Sequence, residues 1–193
     1  MDQDLKNEFV RKCIHFLIAF APLLAEFNRN FAMALLAAGV ILYTFLEKLR
    51  SSNVEIPVFS AIIRKASRQR DKNRFIMGPV TLGLGALLSL LVLPKIPATI
   101  AIYALAFGDG LASLVGRMLG RIRPGFLRGK SLEGSCACFF IVLAVSWFVC
   151  RDIGASFAAA ATATVCEALP IEDYDNIFIP LATGFAAKFC LTL

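Results

Sequence analysis

The chain has 193 residues, 58% of them hydrophobic, with a formal net charge of +6. Its mean hydropathy of +0.72 exceeds what a soluble domain of this length needs to bury a core, which excludes a disordered or purely water-soluble chain. The excess cations suit an anionic leaflet and anionic substrates and need no nucleic acid. Charge-bounded apolar runs fall at 13–27, 31–46, 75–93, 96–116, 135–150, 153–166 and 177–193. Several are shorter than the ~20 residues that cross a bilayer upright, which snorkelling flanks and local thinning can accommodate. The expected fold class is an all-α integral membrane protein: a single membrane-embedded domain, 1–193, bundling about seven transmembrane helices. The sixth run is the poorest in leucine, since 155–164 is mostly alanine.

At the start of the chain, Glu8, Arg11, Lys12 and His15 follow the three-and-four spacing of one helical face. His15 is expected either to be a satisfied bundle histidine, bonded to Glu8 or to a backbone carbonyl, or to lie beside substrate-binding cations. The first run carries no small-residue cleavage site and ends at Glu26 and Asn28, so it is expected to stay as a helix rather than be removed as a signal peptide. In 49–74, Ile56, Val58, Phe59, Ile62, Ile63 and Ala66 repeat at helical spacing and are interleaved with or followed by Arg64, Lys65, Arg68 and Arg70. This predicts an amphipathic helix at the cytoplasmic interface.

The segment 108–134 is the most informative. Asp109, Ser113, Arg117 and Arg121 are four apart and form one polar stripe on a continuous helix. Gly108, Ala112, Gly116 and Gly120 form a parallel stripe of small residues, which lets a neighbouring helix approach closely. A carboxylate inside an apolar run is costly and marks function by default, the alternative being an Asp109–Arg117 pair that locks the helix end. Beyond the stripe, Gly125-Phe-Leu-Arg-Gly129-Lys130-Ser131 comes within one residue of a P-loop, but no strand precedes it, so a P-loop fold is rejected. The physics that remains is glycine-exposed backbone amides, a lysine for a phosphate, and a helix start at Ser131 to Gly134. Further on, 167–176 holds the four carboxylates Glu167, Glu172, Asp173 and Asp175 and the amide of Asn176, oxygen ligands suited to magnesium.

Charge placement sets an expected topology. Three basic residues precede the first run, eight lie within 48–74 and five within 117–130, whereas Arg29, Lys95 and Arg151 stand singly in the other loops. The positive-inside rule then places the N-terminus and both polar clusters in the cytoplasm and the C-terminus outside. The six cysteines, Cys13, Cys136, Cys138, Cys150, Cys166 and Cys190, form no C-x-x-C pair, and His15 is the lone histidine. Packing inside the bundle is expected of them, rather than zinc or redox work. No internal repeat points to the inverted halves of a transporter, and the polar residues gather at one face instead of tracing a mid-bilayer path.

The combination of R-K-x-x-H at 11–15, G-P-x-T at 78–81, G-D-G-x-A-S-x-x-G-R at 108–117, G-K-S-L-E-G at 129–134, and E-A-L-P followed by D-N-x-x-I-P within 167–180 resembles the dolichol kinase, phytol kinase and CTP-dependent diacylglycerol kinase family. The resemblance covers nearly the whole chain and is most specific in the block from G-D-G to K-S-L-E-G, 108–134, together with the later D-N-x-x-I-P segment. It implies phosphorylation of a membrane lipid alcohol, with CTP or ATP as co-substrate and magnesium as cofactor. A more distant likeness to phosphatidate cytidylyltransferase stops short of that enzyme's longer C-terminal signature: no H-G-G and no D-R-x-D occurs here. Carried onto this chain, the reading assigns catalysis to Asp109, Lys130 and Glu133. It assigns nucleotide phosphates to Gly108, Gly110, Ser113, Arg117, Arg121, Gly129, Ser131 and Gly134. Metal would go to Asp109, Asp175, Asn176 and Glu167, and the lipid headgroup to Arg11, Lys12 and His15. Its partners would be the bilayer, its lipid substrate and a nucleotide.

Overall fold

The computed structural model describes residues 3–52, 54, 56–66, 74–127, 129–169, 171 and 174–192, and these form helices and their connections with no strand among them. In chain order the helices are α1 (Gln3–Phe16), α2 (Phe20–Phe27), α3 (Arg29–Ser51), α4 (Pro57–Ala66), α5 (Gly78–Val92), α6 (Lys95–Tyr103), α7 (Gly110–Met118), α8 (Leu132–Cys150), α9 (Ile153–Ala168) and α10 (Asp175–Leu191). A 3-10 turn, Leu17–Ala19, joins α1 to α2, and a π-turn, Ala104–Asp109, joins α6 to α7 into one continuous rod. Of the sequence expectations, Arg68, Arg70, Arg128, Glu172 and Asp173 lie outside the described residues.

Each predicted apolar run falls mainly on helix among the described residues, and α4 is the expected amphipathic helix, with Ile63 buried, Phe59 set edge-on against Tyr43 at 5.6 Å, and Lys65 exposed. Among the described residues, three helical stretches are long and apolar enough to cross a membrane: Arg29–Ser51, Lys95–Met118 and Leu132–Cys150. Other runs correspond to shorter elements, among them α5 and α9, so a count of seven full spans exceeds what length and composition alone support. The α6–α7 rod is the hub. In its most apolar 18-residue window 61% is buried, against 11% for α3 at the periphery. Around it, α10 packs on α6, α5 and α9, while α8 packs on α7 and α9, and α3 leans on α5 and α2.

The alanine-rich sixth run finds its reason here. Ala155, Ala159, Ala160 and Ala163 are all fully buried, and the last three join Ile100, Cys138, Val142 and Ile179 in one core. Small side chains let α9 approach α8 and α10 closely, where leucines would hold the helices apart. Large apolar side chains such as Phe27, Ile41, Phe45, Phe148 and Phe189 face outward instead, as expected where the surrounding solvent is lipid. Among the cysteines, Cys138 is buried in the core, but Cys13 and Cys136 are exposed, so packing explains only some of them.

Side-chain caps define the breaks. Asn28 accepts from Phe31 N at 3.0 Å and starts α3 one residue after α2 ends; Asp152 accepts from Ala155 N at 2.7 Å and starts α9. Arg29 donates to the carbonyls of Leu90 and of Leu93, the latter at 2.7 Å, and so satisfies the C-terminal end of α5. At the same end of the bundle, Lys95 pairs with Glu26 at 3.2 Å. Polar contacts at the opposite end are far denser.

Candidate active site

At that denser end, the polar face of α1 meets the polar stripe of the central rod. Lys12 Nζ lies 2.6 Å from Asp109 Oδ2 and donates to the Asp109 carbonyl at 3.3 Å; both side chains are buried. His15 Nε2 donates to the Leu105 carbonyl at 2.9 Å and stands 3.3 Å from Asp109 Oδ2. Because a carbonyl can only accept, this contact places the ring proton on Nε2. The two sequence alternatives for His15 therefore resolve toward the backbone carbonyl, with Asp109 as a second neighbour. Leu105 and Asp109 both belong to the π-turn, a helix irregularity common at functional sites, which loosens the regular ladder where these carbonyls are used.

One turn toward the N-terminus, Glu8 gathers two cations. It pairs with Arg11 and, at 3.2 Å, with Arg117 on α7. The expected Asp109–Arg117 alternative does not form, since each takes a partner on α1 instead. Burial alone raises the Glu8 pKa, but Arg11, Lys12 and Arg117 outweigh it and hold the carboxyl below its ordinary value. A depressed carboxylate pKa contributes stability that is present above the unfolded value and is lost as pH falls through the folded one. The stability gap between the wild type and Glu8→Gln is thus expected to be constant from pH 6 to 8 and to shrink below about pH 4. Thermal unfolding of both proteins across that range measures it, and a gap independent of pH would refute the assignment.

The small stripe behaves as its spacing predicts. A Cβ on Gly108 would meet Val142 Cγ2 at 2.7 Å, on Gly116 Ser131 Oγ at 2.9 Å, and on Gly134 the Ala112 carbonyl at 2.8 Å. So α7 and α8 cross almost in backbone contact. Gly110 seats against the Phe16 ring in the same way, with a Cβ position only 2.4 Å from Cε1.

The polar stripe, however, stops short of Arg121. The helix ends at Met118, with Leu119 as its cap, and the chain turns away at Gly120. Glu133 explains the turn. Its carboxylate accepts from the backbone N–H of Arg121 at 2.9 Å and of Ile122 at 3.1 Å, giving the departing strand of the loop partners that a longer helix would otherwise supply. Only Asp109, Ser113 and Arg117 therefore share one helical face, and Glu133 anchors the loop. Arg123 closes the same loop by donating to Gly116 O at 2.7 Å and to Gly129 O at 2.6 Å. Gly129 itself has φ of +94°, a left-handed conformation that side-chain-bearing residues rarely adopt. Ser131 caps α8 by accepting from Gly134 N at 3.1 Å, so the motif start is also a helix start.

Lys130 reaches across to the C-terminal end of α9. It donates to the Glu167 carbonyl and to Leu169 O, and lies 3.4 Å from Glu167 Oε1. The other Glu167 oxygen accepts from Ser135 at 3.3 Å. On α10, Asn176 Nδ2 donates to Thr81 Oγ1 at 3.0 Å and to Gly78 O at 3.3 Å. Asp175, its neighbour, lies close enough to Asp109, Lys130 and Lys12 for their charges to act on it. Asp109 likewise acts on Glu167. The expected metal residues thus converge on one end of the bundle. Among the described residues, though, no three acidic, histidine or cysteine side chains stand close enough to hold a metal ion by themselves.

No family model and no solved structure matches the chain. Curated proteins do. A probable phytol kinase 1, chloroplastic, of Oryza sativa subsp. japonica is 29% identical over 204 residues, covering 95% of this chain and 64% of the rice protein. Phytol kinase 1, chloroplastic, of Arabidopsis thaliana is 28% identical over 204 residues, 95% of this chain and 66% of its own length. CTP-dependent diacylglycerol kinase 1 of Schizosaccharomyces pombe is 29% identical over 140 residues, 69% of this chain and 63% of the yeast protein. The relatives of this chain are phytol kinases and CTP-dependent diacylglycerol kinases. The chain spans somewhat under two thirds of the length of the rice relative.

The motifs singled out in the sequence are the ones the structure joins in pairs. R-K-x-x-H meets G-D-G through Lys12 and His15 on Asp109. G-K-S-L-E-G meets E-A-L-P through Lys130 on Glu167. G-P-x-T meets D-N through Thr81 on Asn176. Glu8, Thr81 and Arg123 were absent from the expected site. Glu8 was visible on the helical face of Arg11, Lys12 and His15, and Thr81 sat inside a noted motif. Arg123 gave no signal beyond membership of a basic block.

Proposed function

We propose that the chain is an integral membrane lipid kinase that transfers the terminal phosphate of CTP or ATP to the hydroxyl of a membrane lipid alcohol. The observation that carries this reading is the buried Asp109 carboxylate. It is held between Lys12 and His15 in the π-turn of the central rod, with Arg117 further along the same face on Glu8, and with Asp175 within reach of the charges of Asp109 and Lys130. Phosphoryl transfer asks mainly for alignment and charge neutralisation. Asp109 would orient the lipid hydroxyl and accept its proton. The loop amides and the exposed Arg121, whose side chain has no partner among the described residues, would receive the phosphates. Lys130 would exchange its carbonyl contacts for phosphate oxygens.

Magnesium fits this donor set only in the manner usual for nucleotides, with one or two protein carboxylates and the remaining ligands from phosphates and water. Asp109 and Asp175 are the residues that would hold it. Glu167 is engaged by Lys130 and Ser135, and the Asn176 amide nitrogen by Thr81 and Gly78. Bound there, the ion would neutralise charge on the transferring phosphoryl group. The bias of basic residues places this end of the bundle, with the N-terminus, on the cytoplasmic side and the C-terminus outside, within a bundle of about seven membrane helices.

Purified protein supplied with CTP or ATP labelled at the γ or the α position tests the reading. Label from the γ position is expected in the lipid product when an alcohol is supplied. A cytidylyltransferase acting on phosphatidate would instead retain the α label and release pyrophosphate, and that result would overturn the kinase assignment.

A further inference from the structure

Glu8 is a carboxylate too enclosed to act on a substrate itself. Its side chain is only 2% exposed, and it lies one helical turn before Lys12 on α1. Each of its oxygens holds the Nη2 of a different arginine. Oε1 holds that of Arg11 on its own helix, and Oε2 that of Arg117 on α7, at 3.2 Å. Neither guanidinium is used up by this contact, since each carries five donors. The Arg11 and Arg117 side chains are 27% and 41% exposed, so both stay open to solvent. Arg11 Nε is buried and has no hydrogen-bond partner among the described residues. A buried donor left open is rare in a network that serves structure alone. Charge points the same way. Arg11, Lys12 and Arg117 face two carboxylates, Glu8 and Asp109, and Lys12 takes Asp109. Two guanidinium groups on one carboxylate leave a positive charge unmatched.

We infer that Glu8 is a positioning residue, which holds Arg11 and Arg117 side by side across the α1–α7 contact as a two-armed receptor for the phosphates of the nucleotide. The inference rests on the kinase reading and says how its nucleotide is gripped. It moves Arg11 from the lipid headgroup, where the sequence placed it, to the nucleotide. Arginine forks bind phosphate oxygens in pairs, and two forks from two helices suit a chain of phosphates better than a single one. Free arginine side chains lose much rotamer entropy on binding. A buried carboxylate already bonded to both removes part of that cost before the ligand arrives. Glutamine in its place offers one acceptor oxygen and turns an amide donor toward the other arginine, so only one arm stays seated. Aspartate keeps both oxygens one methylene further back.

The first test uses the wild-type chain in lipid nanodiscs. Phenylglyoxal, which modifies arginine, is applied with and without inorganic tripolyphosphate, and the modified peptides are read by mass spectrometry. Arg11 and Arg117 are expected to be protected together, with rates lowered roughly tenfold, while the exposed Arg151 at the opposite end of the bundle reacts as before. The second test is turnover with CTP and a lipid alcohol, well below the melting temperature of each variant. Glu8→Gln is expected to raise the KM for CTP roughly tenfold and to leave the KM for the lipid unchanged. Glu8→Asp is expected to fall between it and the wild type, and it carries the comparison if the glutamine variant does not fold. In an Arg11→Gln, Arg117→Gln background, Glu8→Gln is expected to change the KM for CTP by less than about twofold, because it acts only through those arginines. Protection of both arginines in a protein that transfers phosphate to no alcohol would uphold the receptor and sink the kinase reading. Phosphate transfer with either arginine unprotected would overturn the receptor and leave the kinase reading standing. Variants at Glu8 that melt earlier or lose kcat with the KM for CTP unchanged would make Glu8 merely structural. A rise in the KM for the lipid alone would hand the arginines back to the headgroup and overturn the inference equally.

Discussion

Asp109→Asn is expected to lower turnover roughly a hundredfold or more while leaving the helices in place. Asparagine keeps the size of the side chain and an oxygen that can accept from Lys12, but it removes the charge that both Lys12 and an incoming hydroxyl proton need. The loss of charge has a structural side too. The Lys12 side chain is only 4% exposed, and a buried ammonium without its counter-charge destabilises by about 3–5 kcal/mol when the partner is truncated. An inactive Asp109→Asn protein alone would therefore not separate chemistry from folding. The double variant Lys12→Met, Asp109→Asn does. Removing both charges together is often close to neutral for stability, so its melting temperature should return most of the way to that of the wild type. If turnover returns as well, Asp109 is merely half of a structural ion pair. If the protein melts normally and stays inactive, the Lys12–Asp109 pair acts on the reaction and not on folding alone.

The sequence made much of this end of the bundle legible because its residues obey helical arithmetic. Glu8, Arg11, Lys12 and His15 read as one face, and Asp109, Ser113 and Arg117 as another; the structure lays these two faces against each other. The glycine stripe was readable for the same reason, since a close crossing needs small residues at every fourth position. What spacing could not show was where the arithmetic stops. Arg121 continues the four-residue count but lies past the end of α7, because Glu133, twelve residues further on, takes its N–H out of the helix. Nor does sequence spacing reveal partners between distant elements. Lys130 read as a phosphate ligand rests on Glu167, and Asn176 read as a metal ligand donates to Thr81, 95 residues away. Lys130 meets its proposed phosphate role by exchanging these contacts when a nucleotide arrives. The π-turn at Ala104–Asp109 has no sequence signature of its own, although it exposes the Leu105 carbonyl that orients His15. Nothing in the spacing marks the buried Glu47. It is fully enclosed, bonded twice to Arg50 at 2.7 Å and once to Ile76 N at 2.8 Å, and ties the end of α3 to the approach to α5.

Gly85→Ala is expected to destabilise the protein strongly. An ideal Cβ at this position would lie 2.0 Å from the Asn176 carbonyl oxygen and 3.0 Å from its carbon. These are backbone atoms of α10, and they cannot swing aside as a side chain would. The helices must part, and overpacking of a rigid contact typically costs about 1–3 kcal/mol or more. The same crossing carries the Asn176 bonds to Thr81 and Gly78, so separating it releases the polar N-terminus of α10 along with Asp175. Loss of stability should therefore be accompanied by a weakened nucleotide interaction, because Asp175 moves away from Asp109. Gly39→Ala on the peripheral α3 is the control: nothing lies within 4 Å of its Cβ position, and alanine in an open helical site is expected to stabilise by about 0.5–1 kcal/mol. Thermal unfolding of the two variants in the same detergent should move in opposite directions. If Gly85→Ala melts with the wild type, α5 and α10 do not cross in backbone contact, and the argument that places Asp175 beside Asp109 loses its support.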